Sequence, residues 1–323
     1  MSSERPLYGG GPQGSTMGIL EYLSQSNDKL QNVQDEDKFS FIDDLSLLEL
    51  VNLMNIGMAS YNVRQHVPSH IAEHNQVIHP DNLKTQKHLN ELSQWTDDNM
   101  MKLNPKKCKN LIFNFTNNHQ FTTTLRINNH EVETVSEAKL LGQIITDDLK
   151  WERNIDEVVK SSNKRLRILH EASKFTGKIS DLKMIYTMYI RSKLDSSSVV
   201  WHSSLTENQI NSLERCQKAA VKVILKNNYR NYEDALKMLD LDSLKERRRK
   251  QCLKFAKDCL KHEKMKMLFP LNVQNNETKT RHKETYKVNK AYTERYRQSA
   301  VPYMQRLLNE DERIKNKEKK RYI

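Results

Sequence analysis

The chain lacks most of what marks secreted, membrane-spanning or metal-stapled proteins. Its 323 residues include four cysteines, Cys108, Cys216, Cys252 and Cys259, and no two form a CxxC pair. That spacing indicates neither a disulfide framework nor a zinc ribbon, and a reducing compartment fits it best. The C-terminal tail carries no HxH or CCHC knuckle, and no internal repeat is present. The N-terminal stretch MSSERPLYGGGPQG has no apolar core of a signal peptide, and nowhere do about 18 uncharged apolar residues run together. An intracellular protein of nucleus or cytoplasm is expected, not secreted and without a membrane partner.

Acidic residues are also in deficit. Lys and Arg number 53 against 41 Asp and Glu, a net charge of +12, and the pI is near 9.3. This excess favours polyanionic partners such as nucleic acid, the plain alternative being a merely basic soluble protein. With 37% apolar and 29% charged residues, the sequence is more polar than an average domain. It still holds too much Leu, Ile, Val and Phe for wholesale disorder. The length allows two or three domains with cores of their own.

Periodicity divides the chain. Gly9-Gly10-Gly11-Pro12-Gln13-Gly14 reads as a loop, and Ser15 caps a helix bearing Met17, Ile19, Leu20 and Leu23. Phe39-Ser40-Phe41-Ile42 and Leu45-Ser46-Leu47-Leu48 read as two short strands about the acidic turn Asp43-Asp44. Residues 61–81 read as an irregular connection, and Leu89, Leu92 and Trp95 give a helical stripe that ends before Asn104-Pro105. Short β-type runs follow at 111–115, 124–127, 132–135 and 140–145. From Trp151 the period becomes 3.6, with faces Ile155/Val158/Leu166/Leu169, Leu182/Ile185/Tyr186/Tyr189 and Leu213/Ala220/Val221/Ile224. Cys252, Phe255, Ala256, Cys259 and Leu260 form one more stripe, on a segment where Lys245 to Lys266 holds ten bases against three acids. The remainder, from 271, reads as a basic, largely irregular tail.

Nucleotidyl transfer needs carboxylates converging on two divalent cations, and the turn of a hairpin presents them beyond a sheet edge. Asp43-Asp44 has that setting, although Asp97-Asp98 and Asp147-Asp148 show that the pair alone is unspecific. Phe41-Ile42-Asp43-Asp44 resembles the aromatic-x-Asp-Asp box of reverse transcriptases, and Pro12-Gln13-Gly14 resembles their Pro-Gln-Gly loop. Trp95 through Asn104-Pro105-Lys106-Lys107-Cys108-Lys109 and Leu111-Ile112-Phe113 looks like the following motif in the non-LTR retroelement enzymes. Lys139-Leu140-Leu141-Gly142 with Leu149-Lys150-Trp151 looks like their primer-gripping hairpin and the start of the thumb.

The resemblance implies an α+β protein: a partial palm of antiparallel sheet with helices over 1–146, a helical thumb over 147–270 and the tail over 271–323. It implies an RNA-directed DNA polymerase with RNA template, DNA primer and deoxynucleotide as partners. Asp43 and Asp44 are then the metal ligands, Pro12, Gln13 and Gly14 touch the templating pair, and Lys107 or Lys109 lies near the departing pyrophosphate. The family pattern also places fingers and a third carboxylate ahead of the Pro-Gln-Gly loop, and this chain begins eleven residues before Pro12. The expectation is therefore a fragment, inert alone, that holds Mg²⁺ or Mn²⁺ only when the missing Asp completes the site.

The alternative is a non-catalytic, basic nucleic-acid-binding remnant. For it, Arg247-Arg248-Arg249-Lys250 reads as a phosphate-tracking surface of the thumb, a nuclear-import signal or a solvated face. His66, His70 and His74 have the four-residue spacing of helical metal ligands, but Pro68 interrupts that helix, leaving a solvated His-rich loop as the simpler reading.

Overall fold

The computed structural model describes residues 38–41, 44–47, 74–77, 83–101, 103–114, 119–272 and 285–319. These form an α+β protein in two compact units, 1–138 and 139–323.

In the first unit, β1 (Lys38–Phe41) and β2 (Asp44–Leu47) pair antiparallel with Phe41 opposite Asp44. The expected strand pair is thus present about positions 42 and 43. Helix α1 (Lys84–Asp98) buries Gln86, Leu92, Ser93 and Thr96 on one face. The Gln86 amide docks the helix on a strand: it donates to the Arg126 carbonyl and accepts from the Arg126 N–H, each at 2.8 Å. Both ends of a buried amide are thereby satisfied, which makes its burial tolerable. Leu83 then packs with Leu125, Ile127 and Val132 in a small core edged by Leu89, Leu103 and Cys108. After the helix, Asn104 caps a 3-10 turn (Pro105–Lys107) by accepting from the Lys106 N–H.

The remaining strands are β3 (His74–Val77), β4 (Lys109–Leu111), β5 (His119–Thr122), β6 (Arg126–Ile127), β7 (His130–Glu131), β8 (Glu133–Val135), β9 (Glu137–Leu140) and β10 (Gln143–Thr146). They do not make the single antiparallel sheet expected of the palm reading. Among the described residues they form two-stranded pairs, and both β3–β5 and β4–β8 run parallel. Parallel partners need long crossovers, so adjacency in sequence says little about them. β3 also corrects the irregular reading of 61–81, since its residues HNQV carry little β-propensity and owe the strand to β5.

The second unit opens on β9 and β10, joined through Leu141 and Gly142, both at positive φ (47° and 80°). That is the turn geometry whose twist matches a hairpin. Asn154 of α2 (Glu152–Phe175) fastens the hairpin to the helices, accepting from the Ile144 N–H at 3.0 Å and donating to Gln143 at 3.1 Å. The hairpin is thus fastened to the helices, and the division between the two compact units, at 138/139, falls within β9.

Helix α3 (Ile179–Ile185) continues through a π-helical stretch, Tyr186–Arg191, into Ser192–Asp195. Leu182, Tyr186, Ile190 and Leu194 are spaced by four and all are fully buried. An α-helix would rotate such a series by about 40° per step; the wider π turn offsets that drift and keeps one buried line. These side chains and Trp201 of α4 (Ser198–Trp201) meet α5 (Glu207–Leu225), which begins on the capping box Thr206/Gln209. Helices α6 (Tyr232–Met238) and α7 (Leu244–Cys259) complete the bundle.

The tail is the clearest correction. Residues Ala300–Lys319 form a 20-residue helix, α8, whose Met304, Leu307 and Leu308 pack with Cys252, Ala256, Cys259 and Phe269. Spacing by three and four supplies the buried stripe, and the surrounding Lys, Arg and Glu form its solvent face.

Candidate functional site

Local folding positions Asp44 as the first residue of β2, paired with Phe41. Asp43 lies outside the described residues, as do Pro12, Gln13 and Gly14. The other two Asp-Asp pairs have local work. Asp148 accepts from the Lys150 ammonium (2.9 Å), then from Thr146 (2.7 Å) and the Lys150 N–H (3.0 Å), and these bonds in that order hold its carboxyl far below the ordinary range. Asp98 accepts from Gln94 one helical turn earlier. Each is a turn or helix-end residue, unlike Asp44 at the head of a paired strand.

Lys107 ends the 3-10 turn and is exposed, while Lys109 pairs with Glu133 across the parallel strands. Among the described residues no group of three His, Cys, Asp or Glu side chains converges as a metal site. His74 starts β3, and His66 and His70 lie outside the described residues.

The basic run on α7 is tied into the fold. Arg247 pairs with Asp195 at 2.6 Å, Arg249 with Glu310 at 2.9 Å and Lys250 with Asp242 at 2.8 Å. Arg248 is fully buried, which corrects its assignment to a phosphate-tracking surface. Its Nε donates to the Leu244 carbonyl and its guanidinium stands 5.5 Å over the Trp201 ring, while Nη1 and Nη2 have no hydrogen-bond partner. Burial lowers its pKa, and the charges of Asp195 and Glu214 oppose that shift. The run Arg-Arg-Arg-Lys reads as solvated in sequence because periodicity in a uniformly charged segment is invisible; only the line Leu244, Arg248, Cys252 betrays an inward position.

A buried hydrogen-bonded junction also escaped the sequence reading. Tyr186 donates to Gln217, whose amide donates to Tyr232 Oη at 2.8 Å and to the Asp242 carbonyl at 2.9 Å. Tyr232 donates in turn to Glu214, which also accepts from the Leu244 N–H at 3.2 Å. One glutamine thus ties α3, α5, α6 and the start of α7 together. Burial raises both tyrosine pKa values far above the ordinary phenol range. His202 is buried with Nδ1 unpartnered, and burial first, then Arg248 and Lys245, push its pKa down to about 4.

No described helix is long and apolar enough to cross a membrane. Compared with protein-family models, with curated proteins and with solved structures, the chain matches none.

Proposed function

We propose that this chain is the palm and thumb portion of an RNA-directed DNA polymerase of the non-LTR retroelement type. The observation that carries the reading is the β1–β2 pair, whose register sets Phe41 opposite Asp44 and leaves Ile42-Asp43 as the connection. An acidic pair beside a strand end suits a hard cation with oxygen ligands. Asp43 and Asp44 are the residues that would hold magnesium or manganese, which supplies activation of a primer hydroxyl and neutralises the leaving phosphate oxygens. The hairpin before α2, the helical bundle behind it and the net charge of +12 fit a primer-gripping turn, a thumb and a polyanionic partner.

The test is binding of an RNA–DNA heteroduplex with a recessed 3′ end, titrated against salt. The logarithm of affinity is expected to fall linearly, with at least about a tenfold loss between roughly 50 and 200 mM salt. Because the site lacks its third carboxylate, Mg²⁺ and the next complementary deoxynucleotide should tighten binding only slightly, by about twofold at millimolar Mg²⁺, in the parent chain and not at all in Asp43→Asn. A flat salt dependence, or no binding at low salt, would overturn the reading. Binding that ignores both nucleotide and Asp43 would leave the non-catalytic nucleic-acid-binding reading in its place.

A further inference from the structure

The outer flank of α2 and α3 carries large apolar side chains in water. Phe175 is 90% exposed, Met188 71%, Met184 58% and Ile168 50%. The opposite flank of the same helices supplies Ile155, Val158, Leu169, Leu182 and Tyr186 to the core, so these four are not core residues displaced by poor packing. The helices form one hairpin: three residues separate Phe175 from Ile179, and the Arg165 guanidinium lies 4.6 Å over the Tyr189 ring. Apolar patches of this kind, rimmed by charge, mark interaction sites.

The two helices that carry these side chains are strongly positive. Residues 160–193 contain nine Lys or Arg against two acids, Glu171 and Asp181. Glu171 is already paired with Lys174, and none of Lys160, Lys164, Lys178, Lys183 and Lys193 forms an ion pair among the described residues. We infer that this face docks an acidic amphipathic helix of a partner protein, with aliphatic anchors against Met184, Met188, Ile168 and Phe175 and carboxylates against the lysines. This goes beyond the polymerase reading and does not rest on it.

Three observations select that occupant. Nucleic-acid surfaces are polar and hold bases on aromatic faces. Here three of the four exposed groups are aliphatic or thioether, Phe175 is the one aromatic among them, and Arg165 occupies one face of the Tyr189 ring. A second copy of the chain would set one lysine rim against another, which like charges oppose. The distance from Ile168 to Phe175 is seven residues of helix, about 10 Å, which matches the reach of anchors at i, i+4 and i+7 on a docked helix. Unbranched methionine adapts to such anchors.

The experiment uses the full chain and a fluorescein-labelled 18-residue peptide with Leu at helical spacing and Glu elsewhere. Micromolar binding is expected, weakened at least about tenfold by Glu→Gln in the peptide or by Met184→Ser with Met188→Ser in the chain. The methyl resonances of Met184 and Met188 should shift on peptide addition to the parent chain, and that of buried Met304 should not. This readout needs no variant. The inference is overturned if the peptide fails to bind, or if neither methyl moves. It is equally overturned if an oligonucleotide displaces the peptide and itself loses affinity in the double variant, or if that variant abolishes a self-association of the parent chain.

Discussion

In residues 139–323 seventeen buried apolar side chains form one cluster, whereas the described part of residues 1–138 builds its main core from Leu83, Leu125, Ile127 and Val132. The two also differ in reach. Helical partners repeat within a turn, while β3 meets β5 some 45 residues on and β4 meets β8 after 24. Local periodicity therefore predicts the second unit well and the first poorly. The comparison also separates two jobs: the larger core belongs to the helical unit, and the acidic turn belongs to the unit of short strand pairs.

The largest expected effect is on the helical core. Trp201→Ala should destabilise that unit by about 4 kcal/mol, because a fully buried indole leaves a cavity and strips Arg248 of its ring. Urea unfolding followed by circular dichroism would measure it. Leu92→Ala in the first unit should cost less, and an equal loss would erase the contrast.

Acid acts next. His202 has its pKa lowered in the fold to about 4, so between that pH and its ordinary 6.5 the unfolded chain binds more protons. Stability is therefore fully present above about 6.5 and falls as pH drops towards 4, by on the order of 3 kcal/mol. Urea midpoints at pH 4.5 and 7 should converge in His202→Gln. Persistence of the parent's full pH dependence would remove His202 as its source.

Gln217→Leu should cost about 2 kcal/mol, since it leaves the Tyr186 hydroxyl and the Asp242 carbonyl without their partner inside the bundle. Amide exchange should speed up in α5 and α6 together. The smallest effect is the cap: Thr206→Ala removes an acceptor for the Gln209 N–H and should lower stability by about 1 kcal/mol by the same urea assay.

Much of this was legible. The β1–β2 pair, α1, α2, α5 and α7 follow from strand signals and from apolar residues at three- and four-residue spacing. α8 carried the same signal in Val301, Met304, Leu307 and Leu308, hidden within a tail whose composition resembles disorder. Phe255 sits on the expected α7 stripe yet is exposed, while Arg248, read as a surface base, is buried. The ring that Arg248 stands over belongs to Trp201, some 47 residues away, and no local pattern shows it. The parallel pairs were illegible for the same reason. Of the candidate site, the strand pair around Asp43-Asp44 was legible, although Asp44, read as a turn residue, is the first residue of β2, while the role of Arg247, Arg249 and Lys250 in ion pairs was not legible.

The claim central to the proposed function is that Asp43 and Asp44 supply two carboxylates of a divalent-cation site whose third carboxylate the family pattern places ahead of the Pro-Gln-Gly loop. Manganese titration followed by electron paramagnetic resonance reads this directly in the full chain. Two carboxylates without the third hold the ion only weakly, so at millimolar manganese the free-ion signal should be slightly depleted by the parent chain and at least about tenfold less effectively by Asp43→Asn with Asp44→Asn, since the hard-oxygen donors are gone. Identical titration curves for the two proteins would contradict it.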